Sequence, residues 1–498
     1  MGRAAAEAVL ALGSPPPGMA RGAWLHEALR RAILSGRLKP GTRLPASRDL
    51  ARQQGVARGT VVAAYEQLAA EGYVVGATGR GTFVARDLPD DLLAVRPASE
   101  PPPAALPGCA ARFARSPFAG ATAPVRPFRA SLPDLAAFPL ALWTRLAGRE
   151  ARRLGTALLG EIDGVGYLPL RIAIRDHLAL ARGVECDVGQ VAIVASVQQA
   201  LDLVARLVLA PGDAAWVEDP GYPAARQVLQ AAGAQLVAVG VDGQGLDVAA
   251  GMVRAPEARL VHLTAGRHAP LGHVLSLDRR LALLRWAGVA GAYVFDDDYD
   301  AEHRFADRPL PALKSLDGGD RVIHAGTFSK LMFPGLRLAY AVLPRALAPD
   351  FADALSLTAR HQPQATQATL AAFMAEGHFA RHVRRMRMLY AERAAAFAAA
   401  GRREWAGRLV VPPIMAGLDV ACRLAGGFDD RAVAAAALAA GITAVPLSRY
   451  AVERSDLSGL VLGFGAFEPA GIADAARRLG AVLASAERQP ADQPGCSD

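Results

Sequence analysis

Apolar residues at Leu25, Leu29 and Ile33 recur at the spacing of one helical face, and a Lys39-Pro40-Gly41 turn follows them. Leu44-Pro45 then leads into a second short helix, with Ser47 placed to cap its start and Gly55 to end it. Val61, Tyr65 and Leu68 mark the buried side of a third helix that stops at Gly72. Two short apolar runs, 73–75 and 82–84, flank Gly76-Ala77-Thr78-Gly79-Arg80-Gly81. Three helices and a glycine-tipped hairpin predict a small α+β unit, a winged helix-turn-helix, over 21–87.

Periodicity then fails. Residues 89–127 carry nine prolines, and proline denies the backbone regular hydrogen bonding, so 88–127 reads as a semi-stiff linker. From about residue 128 the pattern alternates. Apolar runs stand at 191–194, 214–217, 236–239, 260–263, 292–295 and 322–325, with a helical pattern over 198–209. Repeated βα units of this length predict an α/β module, 128–488, built on a mostly parallel sheet. Residues from about 370 to 488 mix helix with a few strands and form its smaller α+β subdomain; an alanine-rich stretch, 432–440, reads as core helix.

Bulk composition refines this picture in three places. At 498 residues a multi-domain chain is expected, and 52% hydrophobic with 20% charged residues supports a sizeable core. Of the net +8 charge, five units fall in residues 21–90, where eleven Lys/Arg face six Asp/Glu. A basic small module beside a nearly neutral large one points to double-stranded DNA as the partner of the first. Cys109, Cys186, Cys422 and Cys496 are scattered, which argues against a zinc site or disulfide framework and fits a reducing, cytoplasmic setting. No apolar run reaches membrane-spanning length, so no membrane partner is expected.

Lysine is scarce: Lys39, Lys314 and Lys330 are the only three among 55 basic residues. A guanidinium stays charged, whereas an ε-amine shed of water becomes a nucleophile, so a retained lysine marks candidate chemistry. Lys39 and Lys314 fit surface positions. Lys330 follows an apolar run and a small-residue turn, and Arg337 lies seven residues on, placed to hold a phosphate. The acidic cluster Asp296-Asp297-Asp298-Tyr299-Asp300 follows the run at 292–295. It reads as a polar loop, as a metal site, or as a cofactor partner. No histidine or further carboxylate stands at ligand spacing, so no metal is expected. A carboxylate at a strand end is placed to pair with a protonated pyridine nitrogen, which pyridoxal 5'-phosphate on a lysine Schiff base needs. Lys330, Asp297 and Tyr299 then form one set, the phenol reaching the ring oxygen. Backbone N–H groups of Val197 and Gln198, at a helix start, are placed to cradle the phosphate with Thr327 and Arg337, and Tyr222 to stack on the ring.

Over residues 21–86 the sequence resembles the GntR family of bacterial regulators, through the run from Ile33 to Pro45, the segment from Thr60 to Leu68, and Gly79-Arg80-Gly81-Thr82. The resemblance implies that Arg48, Arg58 and Thr60 face DNA from the second and third helices and that Gly79 and Arg80 sit in the wing. Over nearly all of 21–485 the chain resembles the MocR/GabR subfamily, in which such a head precedes a fold type I, aspartate aminotransferase-like module. Matching runs include Gly166-Tyr167-Leu168-Pro169-Leu170-Arg171 and Gly377-His378-Phe379-Ala380-Arg381-His382. That likeness implies a Schiff-base lysine at Lys330, a homodimer, and Tyr167 reaching the neighbouring subunit's cofactor.

Several positions depart from the family pattern. Ala46, Ala57 and Gly59 replace polar residues of the head, and losing a helix-capping hydroxyl costs about 1 kcal/mol. Ser196 stands where glycine is usual at the phosphate turn, where a side chain crowds the site. Ala269 replaces a larger side chain beside the ring, and Gly459-Leu460-Val461 lacks the arginine that clamps a substrate carboxylate in aminotransferases. A regulator whose head is controlled by a small amine or amino-acid effector is therefore expected. The rivals are an active aminotransferase with an accessory head, and a DNA-binding protein whose large module only dimerises.

Overall fold

Leu25, Leu29 and Ile33 line the buried face of α1 (Arg21–Leu34), which packs with α2 (Ser47–Gln54) and α3 (Arg58–Ala70) around Trp24, Leu50, Val61 and Leu68. The computed structural model describes residues 10, 12–16, 18–77, 81–88, 124–300, 302–305 and 310–487. The chain divides into two units at residue 105. In the first, β1 (Val74–Ala77) and β2 (Gly81–Val84) form the antiparallel hairpin, Val74 opposite Val84. Its tip, with Gly79 and Arg80, lies outside the described residues, as does most of the proline-rich segment.

The start of α2 differs from expectation by one residue. Ala46, not Ser47, is the N-cap of α2 and offers no side-chain acceptor. Ser47 is the first helical residue, and its hydroxyl accepts from Arg58 Nε at 3.4 Å. Ala57 caps α3, again without a side-chain bond. The Tyr65 hydroxyl donates to the Pro45 carbonyl at 2.9 Å, tying α3 to the segment before α2.

The second unit holds an eight-stranded sheet. Its strands are β3 (Val191–Val194), β4 (Ala214–Asp219), β5 (Gln235–Asp242), β6 (Gly245–Leu246), β7 (Leu260–Leu263), β8 (Tyr293–Asp298), β9 (Val322–Thr327) and β10 (Ala339–Val342), in the order β3-β10-β9-β8-β7-β4-β5-β6. β5, β4, β7, β8 and β9 are mutually parallel, while β10 runs antiparallel between β9 and β3. Val191, Val194, Leu260, Phe295 and Ile323 are buried because helices cover both faces, so these strands read as continuous apolar runs rather than alternations. β8 continues past its apolar run through three aspartates. Arg182 meets Asp298 at 2.5 Å and His324 Nδ1 lies 3.4 Å from Asp296, so two of the three carboxylates have nearby partners.

A second, antiparallel sheet follows, β11 (Leu409–Val410), β12 (Asp419–Leu424), β13 (Val445–Pro446) and β14 (Gly459–Gly463), in the order β11-β12-β14-β13. Its core gathers Phe128, Phe397, Trp405 and Phe464, with Phe128 edge-on to Phe397 at 5.4 Å between ring centroids. The long helix His378–Glu404 serves both modules. Phe379 and Val383 pack in the larger core with Leu370 and Phe373, whereas Ala394, Phe397 and Ala400 pack in the smaller. The change of core thus falls within this helix rather than near residue 370. The alanine-rich stretch is the helix Asp430–Ala439, with Val433 and Ala437 buried.

Candidate functional site

The carboxyl ends of β4, β7, β8 and β9 face the small sheet across a cavity of about 210 Å³. Thr327 closes β9 and caps the single helical turn Phe328–Leu331, its Oγ1 accepting from Ser329 N at 3.1 Å. That turn delivers Lys330 to the cavity, with Nζ 3.7 Å from the centroid of the Tyr299 ring. Burial lowers the Lys330 pKa and Arg267 adds to this, against the pull of Asp300, Asp419 and Asp297. The amine is biased toward its neutral, nucleophilic form.

Asp297, near the end of β8, is 5% exposed. Its Oδ2 lies 3.9 Å from His262 Nε2, and its buried Oδ1 has no hydrogen-bond partner among the described residues. A carboxyl oxygen held out of water without a partner is costly unless a donor completes it. A pyridine N–H is a donor of the right kind, so the residues present fit pyridoxal phosphate.

At the other end, Ser196 Oγ accepts from Gln199 N at 3.1 Å and caps the helix Val197–Val208. Val197 and Gln198 occupy its first turn, where amides have no intrahelical acceptor. The side chain at 196 is therefore folded back as a cap, and its φ of −165° is ordinary extended backbone, so no glycine is required there. Arg337 lines the same end of the cavity with φ of 50°, a left-handed conformation rare outside glycine. Tyr222 lines the wall and accepts from Gln198 Nε2 at 2.8 Å, while Ala269 and Pro270 line it without a large side chain.

Sequence reasoning passed over the group that organises the opposite wall. Arg267, 5% exposed, donates from Nη1 to the Tyr299 hydroxyl at 2.8 Å and to Asp300 Oδ2 at 2.9 Å. Its Nη2 donates to the Asp419 carbonyl at 2.6 Å and to Asp419 Oδ1 at 3.2 Å. Ser131 completes Asp419 through its amide and hydroxyl, both 2.9 Å from Oδ2. Burial pushes Asp300 up to about 6 despite Arg267; in Asp419 the Arg267 and Lys330 charges and the Ser131 bond outweigh burial, and its pKa is lowered. Gly417, at φ of 91°, lies so near that a Cβ would sit 2.4 Å from Arg267 Cζ, so the guanidinium requires glycine there. The available signal was an arginine two residues before Ala269, itself a departure from the family pattern.

Tyr167 is not brought to this chain's cavity. Its amide donates to Gln367 Oε1 at 2.8 Å and its hydroxyl accepts from Arg153 Nη2 at 3.1 Å. In the head, Arg48 and Arg58 are exposed at the first turns of α2 and α3, and Thr60 is half-buried.

Two buried histidines give the module an acid-side weakness. His268 donates from Nε2 to the Pro220 carbonyl at 2.9 Å and accepts at Nδ1 from Leu271 N at 3.2 Å, a pairing only the neutral ring satisfies. Both ring nitrogens of His303 are buried without partners among the described residues. Burial depresses each pKa from 6.5 to about 3. Between these values the unfolded chain binds more protons than the folded one, so stability falls as pH drops. At about pH 5 the loss is about 2 kcal/mol per histidine, and denaturant melts compared with neutral pH should show it; a flat profile contradicts it.

These features define a two-part protein, a winged helix-turn-helix joined to a fold type I aminotransferase-like module with a lysine in its cavity. Residues 24–84 match the bacterial regulatory proteins of the gntR family, and 146–409 match aminotransferase class I and II. The chain is 39% identical over 446 residues to the probable rhizopine catabolism regulatory protein MocR of Rhizobium meliloti, spanning 89% of this chain and 90% of that one. It is 35% identical over 373 residues to the pyridoxine biosynthesis transcriptional regulator PdxR of Corynebacterium glutamicum, spanning 74% and 76%. Among solved structures, the α-aminoadipate aminotransferase LysN of Thermus thermophilus, complexed with N-(5'-phosphopyridoxyl)-L-leucine, superposes with a TM-score of 0.71 at 28% identity, over 77% of this chain and 98% of that one. The chain belongs to the MocR/GabR subfamily of GntR-family regulators. No helix among the described residues is long and apolar enough to cross a membrane.

Proposed function

We propose that this chain is a cytoplasmic, homodimeric transcriptional regulator whose 21–87 head binds promoter DNA under the control of pyridoxal phosphate and a small amine effector in the 128–488 module, across the 88–127 linker. One observation carries the reading. The same chain joins a gntR-type head to a cavity holding Lys330 and Asp297, whose buried Oδ1 has no hydrogen-bond partner among the described residues. When bound, the cofactor supplies an aldehyde carbon reactive toward amines and an electron-withdrawing ring.

The chain's own residues divide the work. Lys330 provides the amine that anchors the cofactor covalently, and Asp297 Oδ1 holds a proton at the ring nitrogen. Tyr299, oriented by Arg267, donates to the ring oxygen. The Val197 and Gln198 amides, Thr327 and Arg337 bind the phosphate, and Tyr222 covers the ring. Tyr167 extends to the partner's cavity in the dimer. An effector moves the heads only to the extent that it binds two states of the module unequally. The relatives' names favour regulation over a free-standing transaminase, as does Val461 where a clamping arginine is absent.

The test is a salt-dependent titration of the chain's own upstream promoter fragment, with and without pyridoxal phosphate. The expected result is cofactor-dependent binding that Arg58→Ala weakens about tenfold, with a shallower salt slope. Binding no tighter than to unrelated DNA, or indifferent to the cofactor, contradicts the reading.

A further inference from the structure

We infer that the effector is a primary amine bearing hydroxyl or further amino groups and no carboxylate, selected by the wall formed by Asp419, Ser131 and Tyr450. This rests on the reading of the cavity as a pyridoxal phosphate site. Among the described residues, the charged side chains lining the cavity are Asp297, Lys330, Arg337 and Asp419. The first three are committed to the cofactor, which leaves Asp419 as the charge an effector meets.

Arg267 does not offset this for an incoming anion. It lies behind the wall rather than in it, and its guanidinium already serves Tyr299, Asp300 and Asp419. One cation thus stands against two carboxylates. The register of the small sheet sets Val461 beside Ala421 and Val445, so the neighbouring strand adds an apolar surface, not a second cation. An α-carboxylate entering here meets Asp419, whose one paired cation, Arg267, is already shared with Asp300, and like charges brought together out of water are strongly unfavourable.

Hydroxyl and amino groups find the opposite. Asp419 Oδ2 already takes two bonds from Ser131, but Oδ1 takes one from Arg267 and keeps a lone pair to accept from them. Ser131, whose proton is given to Asp419, keeps its own lone pairs, and the Tyr450 hydroxyl serves as donor or acceptor. Ala269 leaves room beside the ring for a substituted carbon skeleton. The selectivity is therefore positive toward donors and repulsive toward anions.

The experiment titrates full-length, cofactor-loaded protein with serinol, putrescine, L-alanine and γ-aminobutyrate, following the visible absorption of the bound cofactor. Serinol and putrescine should saturate the spectral change, the first reporting hydroxyl and the second ammonium recognition. The two amino acids should half-saturate at roughly 100-fold higher concentration, and Asp419→Asn should shrink that gap to about tenfold. The wild-type series decides the matter even if the variant folds poorly. Amino acids binding as tightly as the carboxylate-free amines overturn the inference, as does a normal cofactor band that no amine shifts. A protein that takes up no cofactor overturns instead the reading beneath it.

Discussion

Replacing Lys330 with alanine should abolish the visible absorption that pyridoxal phosphate gives the protein and leave the DNA-binding head folded. The amine sits on a single helical turn whose cap, Thr327, and whose neighbours in the core, Phe328 and Leu331, do not depend on it. Only the covalent anchor goes. Asp297, the Val197–Gln198 amides and Arg337 still line the cavity, so weak binding without covalent attachment should survive and be lost on dialysis. Arginine at 330 should fail as completely as alanine, because a guanidinium does not become a neutral nucleophile. Borohydride reduction of the wild type followed by peptide mass spectrometry should place the cofactor on the peptide containing residue 330. A bleachable band persisting in Lys330→Ala would falsify the assignment.

What the sequence disclosed about this site depended on how far each residue's role is local. Lys330 and Asp297 follow apolar runs, and a polar residue at the end of a buried parallel strand is a signal periodicity can carry. The strands β3, β4, β7, β8 and β9 were visible for the same reason, since burial under helices gives each an apolar run, and β5, partly exposed along its length, was visible through the run 236–239. β10 was not. Its four residues between Leu338 and Leu343 carry no turn signal, and its antiparallel place between β9 and β3 is fixed only by tertiary packing. Ser47 misled because serine one residue inside a helix looks like serine at its cap; the backbone at Ala46, not side-chain preference, decides. Arg267 was the hardest. Its partners Tyr299, Asp300 and Asp419 lie 32, 33 and 152 residues away, and one of the bonds goes to a backbone carbonyl that sequence never reveals.

That hidden arginine carries the second large effect. Arg267→Met should destabilise the protein by roughly 3–5 kcal/mol, because removing one partner leaves buried charges without compensation. Asp300 and Asp419 are each below 10% exposed, and neither has another cation within hydrogen-bonding distance among the described residues. The cost should depend on pH in a stated direction. Burial already pushes Asp300 up to about 6 with the guanidinium present; without it the carboxyls hold their protons more tightly still. Protonation removes the stranded charge, so the deficit should be largest in mild alkali and shrink as the solution is acidified. The triple variant Arg267→Met, Asp300→Asn, Asp419→Asn removes both sides of the pair and should recover most of the loss, as replaced buried ion networks do. Urea melts of the three proteins at about pH 8 and about pH 5.5 separate the terms. If Arg267→Met melts within about 1 kcal/mol of wild type at the higher pH, Asp300 and Asp419 do not rely on the guanidinium, and Tyr299 is oriented by packing alone.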